Sequence, residues 1–140
     1  MHVLVTGGAG FIGANLCRAL ELAGHTTTAF DDLSTGASAN LDGTEAELVV
    51  GTILDPDALA AVVGPADAIV HLAARPSSPR SRPDPVASHL ANATGTINVL
   101  EAARTDGRRH VVVAGSSSVH GANPELPRHE GLVPRPISPD

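Results

Sequence analysis

Eight residues near the start, Thr6-Gly7-Gly8-Ala9-Gly10-Phe11-Ile12-Gly13, restrict this chain more than any other feature. They follow a short apolar run, His2-Val3-Leu4-Val5, and lead into a segment whose Ile12, Leu16, Ala19, Leu20 and Ala23 recur at helical spacing up to Gly24. The order is strand, glycine turn, helix. In such a unit Gly7 permits the tight turn, Gly10 lets backbone N–H groups approach an anion, and Gly13 lets the helix pack close to the strand. The helix N-terminus then offers unpaired N–H groups and the positive end of its dipole to a phosphate. A dinucleotide pyrophosphate suits that arrangement. Taken alone, glycines in a turn of this kind also serve packing, and the rest of the chain decides between the two.

A second strand over residues 26–30 ends on Asp31, close to the spacing of about 20 residues at which dinucleotide sites place an acid on the ribose hydroxyls. A carboxylate there accepts from both hydroxyls and repels a 2′-phosphate, so NAD is expected over NADP. The competing reading is that Asp31-Asp32 only opens a polar loop. Residues 33–47 are rich in Ser, Thr, Gly, Asn and Asp and carry no sustained period, which predicts a loop with at most one helical turn. Leu48-Val49-Val50 reads as a third strand. Asp55 then caps a helix with Pro56 at its first position, and Gly64-Pro65 closes it. Residues 68–72 make a fourth strand, and residues 75–85, dense in Pro, Ser and Arg, a surface loop. Residues 86–104 are the longest expected helix, with Leu90, Ala93, Ile97 and Leu100 on one stripe. Residues 111–114 are the fifth strand.

Continuous Val, Ile and Leu runs alternating with helices predict a doubly wound α/β fold of Rossmann type, a parallel sheet in the order 3-2-1-4-5. Ligands bind such sheets beyond the carboxyl ends of the strands. The polar and glycine clusters all follow strands: residues 7–13, 31–36, Thr52-Ile53, the stretch after Leu72 formed by Ala73, Ala74 and Arg75, and residues 116–118.

At 140 residues the chain is one domain, without room for a separate substrate domain. Its net charge is −6, and all nine basic residues are Arg, so there is no Lys. Scattered arginines, only two aromatic residues and no bilayer-length apolar run argue against nucleic acid or membrane as partners. Met1 lies against the first strand, which leads to the expectation of no signal peptide and a cytoplasmic location. The single cysteine, Cys17, falls inside the first helix and is expected to be a small buried hydrophobe. The seven histidines show no metal-ligand spacing, and no metal is expected.

Several stretches together resemble the extended short-chain dehydrogenase/reductase family, in particular its NAD-dependent nucleotide-sugar epimerases and dehydratases: TGGAGFIG (residues 6–13), DDLSTG (31–36), HLAA (71–74), NATGTINVLEAAR (92–104), SSSVHG (116–121) and LVPRPISP (132–139). The resemblance implies NAD as cofactor. It implies pyrophosphate on Gly7, Gly10, Phe11, Ile12 and Gly13, with Asp31 on the adenosine ribose and Asp32, Leu33, Ser34, Thr35 and Gly36 lining it. Thr52 and Ile53 would flank the adenine, with Thr52 standing where the family usually has Asp. Leu72, Ala73, Ala74 and Arg75 would pass beneath the cofactor, and Asn92 would sit near the nicotinamide. Ser116 matches the family's active-site Ser/Thr, and His120 replaces the usual Tyr of the turn after it.

A further departure bears on activity. The family's Tyr general acid/base follows an S-P dipeptide, with a Lys one helical turn later; here Ser138-Pro139 is followed by Asp140, and the sequence holds no Tyr or Lys. A carboxylate ionised near neutral pH is a poor substitute for a neutral phenol beside a developing alkoxide. His120, titratable near neutrality, is the best alternative base, although a turn residue or packed aromatic stand-in is the plainer role. The expectation is therefore an NAD-binding domain (residues 1–120) of an epimerase/dehydratase-type enzyme with a proline-rich loop (residues 121–140), lacking the later strands and the Tyr/Lys helix and inactive by itself. A nucleotide sugar would be its substrate only if a C-terminal half completed it. The rival is a stand-alone NAD-binding interaction module. Without the Tyr/Lys helix, some of Val70, Leu72, Val111 and Val113 should be left bare, favouring self-association or a partner chain.

Overall fold

The computed structural model describes residues 1–75 and 84–136. Most of the loop expected over 75–85, and Ser138, Pro139 and Asp140, lie outside the described residues. Five parallel strands form one sheet in the order β3-β2-β1-β4-β5: β1 His2–Thr6, β2 Thr26–Asp31, β3 Glu47–Val50, β4 Ala68–His71 and β5 His110–Val113. The pairing runs Val3 to Thr27 and Ala68, and Thr6 to Phe30 and His71. Alternation along β1 divides the core. Val3 and Val5 pack with Ala14, Cys17 and Ala29 beneath α1 (Phe11–Leu22), whereas Leu4 faces Phe30, Leu59, Ile69 and Val99 under α2 (Pro56–Val63) and α4 (Gly95–Thr105).

The helix boundaries follow from local chemistry. Asp55 accepts from the N–H groups of Asp57 and Ala58 at the start of α2, and Pro56 takes the first position where no N–H is needed. α1 ends where Gly24 turns the chain at φ +84, a left-handed conformation natural to glycine. In the loop after β2 the one helical turn is a 3₁₀ turn, Ser38–Leu41.

Two helical faces differ from those the sequence pattern suggests. In α1 the buried residues are Gly13, Ala14 and Cys17, with Leu16 and Leu20 half-buried, while Ile12, Ala19 and Ala23 are exposed. The helix lies so close to the sheet that small side chains fit beneath it and larger apolar ones sit at its margins. The long helix expected over 86–104 is three pieces: α3 Pro85–His89, a π-helical turn Leu90–Thr94, and α4. Ser88, Gly95, Val99 and Ala103 are buried and Leu90, Ile97 and Leu100 face outward, so the helix turns its small side chains, not its larger apolar stripe, to the sheet. Gly95 is required at that contact: a Cβ there would stand 2.4 Å from Ile53 Cδ1.

Val70, Leu72 and Val111 are half-buried against the two core clusters. Of the four, Val113 is the exposed one (46%), together with its neighbour Val112 (51%). Beyond β5 a 3₁₀ turn, Ser117–His120, precedes a loop that folds back so that Arg135 N–H donates to Val119 O and Ala122 N–H to Arg135 O. No helix among the described residues is long and apolar enough to cross a membrane.

Candidate dinucleotide-binding site

A cleft of about 1010 Å³ opens beyond the carboxyl ends of the strands. Its first wall is the glycine turn. A Cβ on Gly13 would stand 2.2 Å from Gly7 O and 2.7 Å from Gly8 Cα, and one on Gly7 would stand 2.8 Å from Ala73 N, at φ +70. Backbone occupies both directions, so only glycine closes this turn. Gly10 is the N-cap of α1 and no side chain caps the helix, which leaves the N–H groups of its first turn to whatever occupies the cleft. The first turn also contains no acidic residue. Phe11 and Ile12 are 83% and 67% exposed, and they line the cleft together with Gly7, Gly10 and Gly13.

Asp31 forms the opposite rim and is itself buried. Its Oδ2 accepts from Ala9 N–H at 3.0 Å and its Oδ1 from Leu33 N–H at 2.8 Å, so one carboxylate joins the glycine turn to the loop after β2. The side chain is anchored at the cleft with lone pairs to spare. Asp32, Ser34 and Thr35 continue the rim. Leu33 and Gly36 are not on the cleft wall. Leu33 stands at φ +58 with its side chain half-buried, and Gly36 is pressed on Ala9, where a Cβ would come within 2.9 Å of backbone. They shape the loop that the other residues present.

Thr52 and Ile53 line the next stretch with Gly51 and Leu54, and Thr52 Oγ1 accepts from Leu54 N–H at 3.3 Å. Leu72, Ala73, Ala74 and Arg75 form the floor. Arg75 is the one basic residue among the described lining residues, and its guanidinium meets Asp84 at 3.0 Å. The N–H of Ala87 and then that guanidinium hold the Asp84 carboxyl below its ordinary pKa. Asn92 is not on the wall. Its Oδ1 accepts Arg75 N–H at 2.7 Å and its Nδ2 donates to Arg75 O at 3.2 Å, so the amide pins the floor. Ser116 also lies off the wall, exposed, capping the 3₁₀ turn by accepting Ser118 N–H and touching Ser118 Oγ. His120 is half-buried, and no partner is present for its Nδ1 among the described residues.

These features coincide with a family match that covers almost the whole chain: the model described as the NAD dependent epimerase/dehydratase family matches residues 3–140. The chain belongs to that family. It is 42% identical over 146 residues to a UDP-glucose 4-epimerase of Mycolicibacterium smegmatis (99% of this chain, 46% of that protein). It is 33% identical over 145 residues to a UDP-glucuronic acid decarboxylase 1 of Xenopus tropicalis (99% and 33%). Among solved structures, a UDP-glucose 4-epimerase from Brucella ovis in complex with NAD superposes with a TM-score of 0.91 at 33% identity, over 97% of this chain and 42% of that one. The chain thus spans less than half the length of these relatives.

Seven cleft residues carry no motif and were not expected from the sequence: Phe30, Gly51, Leu54, Ala87, Leu90, Ala91 and Ala114. Only Gly51 left a trace. It directly follows β3, and a Cβ there would stand 2.5 Å from the Phe30 ring, so the glycine lets that ring lie beneath the cleft. Leu90 reaches the wall from the helical face opposite the buried Ser88, Gly95 and Val99.

Proposed function

We propose that this chain is the NAD-holding part of an enzyme that modifies nucleotide sugars, with residues 1–120 as the cofactor domain and residues 121–140 as a loop beside it. The observation that carries the reading is the glycine turn, closed to any side chain by backbone and facing an anchored Asp31 across one cleft. In this proposal the open N–H groups at the start of α1 and the turn at Gly7, Gly10 and Gly13 hold the pyrophosphate. Asp31 accepts from the ribose hydroxyls, while Asp32, Ser34 and Thr35 line it. Thr52 and Ile53 flank the base, and Leu72, Ala73, Ala74 and Arg75 support the dinucleotide. Leu33, Gly36 and Asn92 act one step back, through the loops they fix. NAD, when bound, supplies hydride transfer at its nicotinamide. A cytoplasmic setting belongs to the same proposal.

Ser116 is proposed to meet a substrate hydroxyl. The sequence offers no Tyr or Lys to move its proton, so the 140 residues by themselves are expected not to turn over a nucleotide sugar. Calorimetric titration with NAD and NADP tests the reading: NAD should bind and NADP should bind more weakly, and equal or tighter NADP binding would refute the role of Asp31. Conversion of a nucleotide sugar by the isolated chain, abolished in Ser116→Ala, would refute its inactivity.

Exposed Ile97, Leu100, Val112 and Val113 favour a second element in the proposal, a covering partner or self-association. Light scattering of a concentrated sample giving a monodisperse monomer would count against it.

A further inference from the structure

A buried imidazole stands beneath the cleft, unused in the reading above. His71 ends β4 at 3% exposure, with Nδ1 2.7 Å from Thr6 Oγ1 and Nε2 2.9 Å from Thr96 Oγ1. Its protons follow by elimination. The backbone carbonyl of Asn92 can only accept, so Thr96 donates its single hydroxyl proton there, over 2.7 Å. Thr96 must then accept from His71, which puts the imidazole proton on Nε2. Nδ1 is left to accept from the Thr6 hydroxyl, and the Thr6 oxygen accepts Ala73 N–H at 3.3 Å. At the other end the Asn92 amide grips both the N–H and the carbonyl of Arg75. One line of hydrogen bonds through His71 therefore holds the cleft floor at Ala73 and at Arg75. It also reaches Thr6, the last residue before the glycine turn.

We propose that His71 is a positioning residue of the dinucleotide site, its neutral Nε2–H tautomer fixing the floor at residues 73–75 against the glycine turn. The inference rests on the NAD reading. The groups that face the imidazole are the Thr6 hydroxyl from β1 and the Thr96 hydroxyl from α4, with Val113 as its register partner on β5. His2 and His110 stand at the far ends of β1 and β5, Arg75 is paired with Asp84, and Glu101 and Arg104 on α4 are paired with each other. No charged group among the described residues bonds to the ring, and burial lowers its pKa from 6.5. Protonation would turn Nδ1 into a donor facing Thr6, leave the Thr6 hydroxyl proton without its acceptor, and loosen the floor.

The test uses the full chain. NAD is titrated calorimetrically into the wild type, Thr96→Val and Thr96→Ser, and ¹⁵N-edited imidazole spectra of the wild type are followed from pH 8 to pH 5 with and without NAD. The expected results are an Nε2–H tautomer at His71 and a His71 titration midpoint lowered by NAD. Thr96→Val should bind NAD at least fivefold more weakly with its circular dichroism unchanged, and Thr96→Ser within twofold of the wild type. An Nδ1–H tautomer, a midpoint indifferent to NAD, or a Thr96→Val chain that binds like the wild type would each overturn the proposal. If Thr96→Val does not fold, the wild-type tautomer and midpoint decide alone. A wild type that fails to bind NAD overturns the cofactor reading instead.

Discussion

On the β3-β2-β1 side of the sheet, α1 lies directly on backbone: Gly13 is wedged on Gly7 and Gly8, Ala14 and Cys17 fill the remaining space, and Asp31 joins turn to loop by two N–H contacts. On the β4-β5 side the helical layer is interrupted by a π turn, Leu90, Ile97 and Leu100 face outward, and the outer strand leaves Val112 and Val113 half bare. Both sides come from runs of Val, Leu and Ala, yet one closes on itself and the other does not. On the first side the glycine turn, α1 and the loop after β2 meet through Gly7, Gly13 and Asp31, and Gly13 makes a contact that only glycine allows. The second leaves Ile97, Val112 and Val113 exposed. The cleft lies at the seam, with the glycine-turn backbone from one side and, from the other, a floor whose Arg75 backbone is held by the Asn92 amide.

The largest expected effect is on the closed side. Gly13→Ala forces a Cβ into the Gly7 carbonyl, where neither partner can yield without opening the turn. A loss of about 3 kcal/mol in urea unfolding is expected from such overpacking. Gly24→Ala is the control, with φ +84 but open space around it, and should cost about 1–2 kcal/mol from left-handed backbone strain alone. If the two cost the same, close packing is not what distinguishes this side.

Asp31→Ala comes next. It removes the acceptor of Ala9 and Leu33 N–H and the proposed ribose contact together. NAD binding should weaken by about 1–3 kcal/mol, the cost of losing a charged hydrogen-bond partner. Calorimetry measures it, and an unchanged affinity would reduce Asp31 to a loop fastener.

The seam has its own pH signature. Burial depresses the folded-state pKa of His71 below 6.5, so between the two values the unfolded chain binds more protons than the folded one. Stability from this group is complete above about pH 6.5 and declines as the pH falls through the folded value. Urea unfolding at several pH values should show a shallower acid decline in His71→Asn than in the wild type, and identical slopes would remove His71 from the account.

The smallest effect belongs to the open side. Ile97 is 63% exposed, and Ile97→Gln should change stability by less than about 0.5 kcal/mol, as surface substitutions do. Binding of a fluorescent apolar dye should fall by a visible fraction. A large destabilisation would mean that this face is already covered.

The sequence by itself determined the strand order, the place of the cleft and most of its rim. Unbroken Val-Ile-Leu strands separated by capped helices admit few topologies, and a glycine turn between the first strand and helix, followed by an acid at the end of the second strand, suits a dinucleotide. Residues 6–13, Asp31, Thr52 and residues 72–75 were legible because each carries a signal within a few positions of itself. Tertiary structure alone decided which helical faces are buried: the helix meets the sheet through Gly95, Val99 and Ala103, with Gly95 pressed on Ile53, and leaves the apolar stripe Leu90, Ile97 and Leu100 outward. It alone placed the Asn92 amide on the Arg75 backbone, and joined Thr6, His71 and Thr96, residues from three distant segments, into one hydrogen-bonded line. Backbone periodicity is a local property that a sequence records. The partner of a buried polar side chain is set by which strands and helices meet, and that is fixed only when the whole sheet has assembled.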